Sequence, residues 1–101
     1  MKKIDIYTSS TCPYCVRAKN LFKNKGVSYR EVIIDGNPEL IAESVQRSDG
    51  MRTVPQIFIE NHHVGGYDEL SALDKSGRLN SLLGLDNHPA VESFNNQRNQ
   101  L

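Results

Sequence analysis

Cys12 and Cys15, the only two cysteines of the chain, lie within one helical turn of each other in the stretch TCPYC. Proline is favoured at the first position of a helix, so Pro13 predicts a helix that begins there with Cys12 as its N-cap. The N-cap side chain accepts hydrogen bonds from the next backbone N–H groups, here those of Tyr14 and Cys15. These bonds and the helix dipole favour a thiolate at Cys12, the nucleophilic form of cysteine.

Cys15 has a different predicted environment from Cys12, although they are three positions apart. Cys15, Ala18 and Phe22 share one face of the predicted helix with Leu21, and an apolar face of this kind packs on a core. We therefore expect Cys15 to be less exposed than Cys12. The pair is interpreted as an attacking thiol followed by a resolving thiol.

Two other interpretations of the cysteine pair are less favourable. A structural zinc site needs about four ligands, whereas adjacent His62 and His63 on a strand would point to opposite faces. A disulfide across two intervening residues closes a loop too short to constrain the unfolded chain much. The sequence predicts no metal site.

Bulk composition limits the classes of partner. The 101 residues suffice for one small domain, and 12 basic and 12 acidic side chains cancel. A chain without net charge has no long-range field for nucleic acid or an anionic membrane, and we expect neither as a partner. No apolar signal segment or run of about 18 apolar residues occurs, so we expect a cytoplasmic protein. We also expect it to be a monomer. The predicted domain spans residues 1–85, and the polar tail over residues 86–101 is predicted to be flexible.

Hydrophobic periodicity predicts the order β-α-β-α-β-β-α. Two strands joined by a helix should be parallel, and the last two strands should form an antiparallel hairpin. The fold class is therefore α/β, with a mixed four-stranded sheet and helices on both faces. The predicted strands lie near residues 2–8, 27–35, 55–60 and 62–66. Helices are predicted over 13–25, 67–77 and 79–84, and a further helix is opened by Pro38. In that helix, the side chains expected to face inward are Leu40, Ile41, Ser44 and Val45.

Two further stretches carry possible chemistry. In RTVPQIF, Pro55 precedes an apolar strand, and the Val54–Pro55 bond is either an ordinary trans bond or a cis bond that exposes the Val54 backbone to a peptide. In HVGGYDEL, Gly65 and Gly66 allow close backbone approach. Asp68 then opens a helix, either as a cap or as a ligand for an ammonium group. The residues alone leave the Val54–Pro55 alternatives open.

Together, TCPYC at 11–15, TVPQIFI at 53–59 and GGYDEL at 65–70 resemble the glutaredoxins of the thioredoxin-like superfamily, most of all the short bacterial dithiol type. The resemblance covers about residues 3–83. It implies a glutathione-dependent thiol–disulfide oxidoreductase with glutathione as reducing co-substrate and disulfide-bearing or glutathionylated proteins as partners. Whether ribonucleotide reductase is among these partners is left open.

The resemblance also implies a cis Pro55, Cys12 as nucleophile, and Cys15 or glutathione as resolver. The predicted glutathione-binding residues are Cys12, Tyr14, Arg52, Thr53, Val54, Pro55, Gly66, Tyr67 and Asp68.

The chain departs from the family pattern at two positions. Many relatives carry a lysine where this chain has Ser9, and that lysine meets a glutathione carboxylate. We expect Arg52, or secondly Arg47, to supply the cation, while Asp68 meets the ammonium. Relatives also often have a cysteine where this chain has Tyr67, so a third thiol is missing.

Two alternative functions follow from the same family. Some relatives form dimers that hold a [2Fe–2S] cluster through the first cysteine and two glutathiones, although they usually carry serine at the second position. Reduction by thioredoxin reductase is the other alternative. The resemblance disfavours it, because it assigns Thr53, Val54, Pro55 and Asp68 to glutathione.

Overall fold

The computed structural model describes residues 2–85, and the predicted flexibility of the tail lies outside the described residues. Within them the predicted element order is confirmed, with the last helical stretch forming a separate short helix. The elements are β1 Ile4–Thr8, α1 Pro13–Asn24, β2 Arg30–Ile33, α2 Pro38–Arg47, β3 Gln56–Ile59, β4 His62–Gly65, α3 Tyr67–Lys75 and α4 Arg78–Leu83. None of the helices in this part of the chain is long and apolar enough to cross a membrane.

The four strands form one mixed sheet in the order β2-β1-β3-β4. β1 and β2 are parallel, as expected for strands joined by a helix, and β1 and β3 are antiparallel. β3 and β4 form the predicted antiparallel hairpin, with Glu60 in its turn at a positive φ of 55°. This topology places the loop before α1 and the loop before β3 at the same end of the sheet, because β1 and β3 run in opposite directions.

Apolar side chains cover both faces of the sheet. All five residues of β1 are buried, which identifies it as a central strand. The smaller cluster, on the face of α2, contains Tyr7, Val32 and Phe58, with Leu40 of α2 packed against it. The larger cluster joins the sheet to α1, α3 and α4 and contains Ile4, Ile6, Ala18, Phe22, Val27, Ile57, Ile59, Val64, Leu70, Leu79 and Leu83.

β2 is shorter than predicted because its first residues complete the end of α1. Gly26 has a φ of 72°, and its N–H donates to the Lys23 carbonyl at 3.0 Å. The Val27 N–H donates to the Phe22 carbonyl at 3.2 Å, which is the second bond of a Schellman motif. Val27 is consequently a buried core residue outside the strand, and β2 begins only at Arg30.

The prediction that Ile41 faces inward is wrong. Its side chain is 37% exposed, and Ser44 is the buried residue of α2. Leu40 is the α2 side chain that packs against the cluster beneath the helix, and Val45 is half-buried. Ile41 instead lines a surface hollow with Pro38, Ala42, Val45, Gln46 and Arg52.

Candidate active site

The start of α1 confirms the predicted N-cap, although within the described residues only one of the two predicted backbone donors, Cys15 and not Tyr14, bonds to the Cys12 sulfur. Pro13 occupies the first helical position, and Cys12 is the N-cap with extended backbone angles. The Cys15 N–H donates to the Cys12 sulfur at 3.1 Å. The Cys12 sulfur therefore lies at the positive end of the α1 dipole, next to a backbone N–H donor.

The two thiols differ in burial, as predicted. Cys12 is partly exposed, whereas Cys15 is 1% exposed. Burial of Cys15 and its hydrogen bond to Cys12 raise the pKa of the Cys15 thiol to about 12. Cys15 therefore stays protonated at neutral pH while Cys12 faces solvent, which suits Cys12 for attack and Cys15 for a later step.

The loop before α1 is anchored to the loop after β2. The Ser10 backbone N–H donates to Asp35 Oδ2 at 2.9 Å, and the Ser10 hydroxyl donates to the same oxygen. These bonds hold the pKa of Asp35 below its usual value. The anchor fixes the chain two residues before Cys12.

The loop before β3 forms a wall beside Cys12. The Val54–Pro55 peptide bond is cis, which decides between the alternatives that the residues left open. The Cys12 thiol donates to the Val54 carbonyl oxygen at a sulfur–oxygen distance of 3.6 Å. The attacking sulfur and the backbone of this wall are therefore in direct contact.

A groove of about 200 Å³ adjoins this wall. On its rim the Tyr14 and Tyr67 rings stack, with centroids 6.1 Å apart. Seven predicted binding residues line the groove, and Cys12 lies beside it through its contact with Val54. The lining residues are Tyr14, Thr53, Val54, Pro55, Gly66, Tyr67, Asp68 and Glu69.

Sequence reasoning missed two side chains at this site. Glu69 Oε1 accepts a hydrogen bond from the Gly66 N–H at 2.8 Å, so Glu69 caps α3 while it lines the groove. Glutamate three residues after an N-cap is the second half of a capping box, and that spacing could have identified it. Arg17, one turn after Pro13, places its guanidinium carbon 5.2 Å from the centre of the Tyr14 ring.

The two predicted cations lie in different places. Arg47 donates to Asp5 Oδ2 at 2.7 Å, and its guanidinium lies over the Phe58 ring on the face of α2. Arg47 thus already has a carboxylate partner within the protein, and its role as a ligand for glutathione stays a prediction. Arg52 is exposed beside Thr53 and lines the surface hollow near α2, outside the groove proper.

The histidines of β4 do not gather with the cysteines. His62 is exposed, and His63 Nε2 lies 2.7 Å from Gln56 Oε1. Within residues 2–85, no three His, Cys, Asp or Glu side chains cluster as metal ligands.

Comparison with known proteins gives consistent matches. The family model described as Glutaredoxin matches residues 4–64. Glutaredoxin 3 of Escherichia coli K12 is 54% identical over 83 residues, which are 82% of this chain and 99% of the relative. A glutaredoxin of Pseudomonas aeruginosa is 52% identical over 83 residues, or 82% of this chain and 98% of the relative.

Solved structures also match in fold. A crystal structure of a buckwheat glutaredoxin–glutathione complex superposes with a TM-score of 0.74 at 30% identity, covering 82% of this chain and 77% of the other. The solution structure of a glutaredoxin from Brucella melitensis has a TM-score of 0.73 at 48% identity, covering 84% and 91%.

Proposed function

The chain belongs to the glutaredoxin family and is a thiol–disulfide oxidoreductase, and from this premise we propose that glutathione is its reductant. The proposed substrates are glutathione mixed disulfides of proteins and protein disulfides. Cys12 is the proposed nucleophile. One observation carries the proposal: the partly exposed Cys12 sulfur accepts the Cys15 N–H and lies against the groove wall at Val54.

In the proposed reduction of a glutathione mixed disulfide, the Cys12 thiolate attacks the sulfur of the glutathionyl group. A disulfide bond between Cys12 and glutathione forms as the bond to the substrate protein breaks. The protein leaves as a thiolate and takes a proton from solvent. A second glutathione thiolate then attacks the glutathionyl sulfur, which releases oxidised glutathione and restores the Cys12 thiolate.

In the proposed reduction of a protein disulfide, Cys12 first forms a mixed disulfide with one of the two protein sulfurs. Cys15 loses its proton and attacks the Cys12 sulfur, so the protein leaves with both thiols reduced. The Cys12–Cys15 disulfide is then reduced by two glutathiones, which leave as oxidised glutathione. The pKa of Cys15, raised to about 12, supports its proposed role as the resolver and not as the first nucleophile.

The groove suggests an orientation for the glutathionyl group. Its γ-glutamyl carboxylate would meet backbone N–H groups at the start of α3, as anions do at helix N-termini. Its ammonium would meet Asp68, and the glycine carboxylate would extend toward Arg52. The match to the buckwheat glutaredoxin–glutathione complex supports a groove of this kind.

The proposal is tested with a glutathionylated peptide and two electron sources in parallel. One contains glutathione, glutathione reductase and NADPH; the other contains thioredoxin reductase and NADPH without glutathione. We expect turnover with the first, a dependence on glutathione concentration, and no turnover above background with the second. Equal turnover from both sources would contradict glutathione dependence while leaving the family assignment intact.

A further inference from the structure

Beneath the groove wall lies a buried glutamine that the proposed chemistry does not use. Gln56 is the first residue of β3 and is 1% exposed. Its side-chain Nε2 donates to the Thr53 carbonyl at 3.1 Å and to Thr53 Oγ1 at 3.2 Å. Both amide hydrogens are thus directed at Thr53, a residue that lines the groove.

These two bonds determine how the Thr53 hydroxyl can act. A hydroxyl has one hydrogen to donate and lone pairs with which to accept. Because Gln56 already donates to Thr53 Oγ1, the hydroxyl hydrogen is left for another acceptor, and Thr53 lines the groove. Glutathione carries two carboxylates, which are strong acceptors.

The opposite end of the Gln56 amide is held by the neighbouring strand. The carbonyl of Thr53 can only accept, so Gln56 must direct its Nε2 toward Thr53 and its Oε1 away from it. Oε1 lies 2.7 Å from His63 Nε2 on β4, and His63 must therefore donate from Nε2. The imidazole is itself stacked on the Phe58 ring, with centroids 4.9 Å apart and an angle of 23°.

We propose that Gln56 and His63 are positioning residues that direct the Thr53 hydroxyl hydrogen at a carboxylate of the bound glutathionyl group. The inference rests on the proposed glutathione dependence and deepens it. Neither residue touches the ligand: His63 orients Gln56, and Gln56 orients Thr53. Loss of either should weaken binding of the glutathionyl group without changing the nucleophile.

The test is a double-mutant cycle of Gln56→Met and Thr53→Val, with KM and kcat measured on a glutathionylated peptide. Gln56→Met should raise KM roughly three- to tenfold, the range expected when a neutral hydrogen bond is lost. The rate of Cys12 alkylation by iodoacetamide should stay unchanged. In the presence of Thr53→Val, Gln56→Met should raise KM by a clearly smaller factor, because the hydroxyl it orients is absent.

A second set of variants changes His63, which is less buried than Gln56. His63→Leu should raise KM, and His63→Gln should retain the wild-type value because its amide can donate to Gln56. His62→Leu, on the neighbouring exposed residue, is the matched control and should leave KM unchanged. If Gln56→Met fails to fold, these three variants decide the question.

The possible failures are distinguishable. A wild-type protein without glutathione dependence would overturn the proposed function and this inference together. A glutathione-dependent wild type whose KM is unchanged by His63→Leu would overturn the positioning role alone. Equal effects of Gln56→Met with and without Thr53→Val would overturn it as well.

Discussion

On the face of the sheet covered by α2, charged side chains pair with one another, whereas the groove beside Cys12 leaves polar groups facing solvent. The paired side chains are called the Asp5 cluster here and consist of Asp5, Tyr7, Arg30 and Arg47. Asp5 is 3% exposed and accepts from Arg30 Nε at 3.0 Å and from Arg47 Nη1 at 2.7 Å. Arg47 also donates to the Tyr7 hydroxyl oxygen at 3.2 Å.

Burial alone would raise the pKa of Asp5, but hydrogen bonds and charges from Arg30 and Arg47 outweigh it, and the pKa is lowered. The Asp5 carboxylate is thus ionised and satisfied within the protein. A buried charge in this state stabilises the fold only while its partners remain.

The two regions differ in whether their charged side chains already have a partner. Charges paired within the protein stabilise the fold, whereas unpaired charges are available to a ligand. The two arginines considered for the glutathione carboxylate differ in exposure and in contacts. Arg47 already has a carboxylate partner, while within residues 2–85 the Arg52 side chain has no ion pair or hydrogen bond. A cation without an internal partner is the better candidate for an external one.

The largest predicted effect falls on the groove side of the comparison. Cys12→Ser should lower the reduction of a glutathionylated peptide by at least about three orders of magnitude, as expected when a covalent nucleophile is removed. Cys15→Ser should retain that reaction, because a second glutathione resolves the intermediate, and should slow reduction of intramolecular protein disulfides. Coupled NADPH assays on both substrates measure this. Activity in Cys12→Ser with loss in Cys15→Ser would reverse the two roles.

The second effect falls on the Asp5 cluster. Arg47→Met should lower the free energy of unfolding by about 2–3 kcal/mol, because Asp5 loses a charged hydrogen bond in a buried site. Arg30→Met should cost only about 0–1 kcal/mol, since the Arg30 side chain is 57% exposed against 28% for Arg47. Urea unfolding at pH 7 measures both, and enzyme activity should be unchanged in each.

Measurements at low pH test the predicted effect of Arg47→Met further. The folded pKa of Asp5 lies below its unfolded value, so the stability it contributes is present above about pH 4 and is lost as pH falls through the folded pKa. The difference in stability between wild type and Arg47→Met should therefore shrink on acidification below about pH 4. A difference that stays constant down to pH 2 would show that packing of the arginine on Phe58, not its charge pairing, carries the effect.

The third predicted effect is a loss of stability at alkaline pH that is caused by ionisation of Cys15. The folded pKa of Cys15 is about 12, above the value of an exposed thiol, so the unfolded state loses its proton first as pH rises. Stability should consequently fall with pH above about 9, with a slope of at most about 1.4 kcal/mol per pH unit from this one group. Reduced wild type compared with Cys15→Ser isolates the slope, since the other titrating groups are common to both. Parallel curves for the two proteins would argue against a protonated, buried Cys15.

The smallest effect tests the two arginines as ligands. Arg52→Ala should raise KM for a glutathionylated peptide by a few-fold, because an exposed ion pair contributes only about 0–1 kcal/mol. Ser9→Lys should lower KM by a similar factor, and both changes should diminish at high salt. Arg47→Met is the matched control and should leave KM unchanged. If Arg47→Met raised KM as much as Arg52→Ala, the distinction between the two regions would fail.

Local chemistry made much of this protein predictable from its sequence. Pro13 marked the helix start because its ring favours the first helical position, and this assigned the N-cap to Cys12. Alternating and helical hydrophobic patterns identified the strands and helices, since these periods reflect which side chains face a core. The motifs TCPYC, TVPQIFI and GGYDEL indicated the family, which the comparisons confirm.

Contacts between distant segments decided what the sequence left open. The Val54–Pro55 bond is cis in the folded chain, where the local preference of the residues did not choose. Arg47 and Asp5 lie 42 positions apart, so their pairing depends on how α2 packs on the sheet. Ile41 is exposed because the packing of α2 turns Leu40 and Ser44, and not Ile41, inward.

The sequence by itself predicted Cys12 and Cys15 as the reacting pair and indicated the order of the elements and the family, because motifs and hydrophobic periods can be recognised without the fold. Only the tertiary structure showed which polar groups are satisfied and which remain open. It paired Arg47 with Asp5 and joined His63 through Gln56 to Thr53. Hydrogen-bond partners and burial are properties of the packed molecule, since they depend on which side chains the fold brings within about 3 Å of one another.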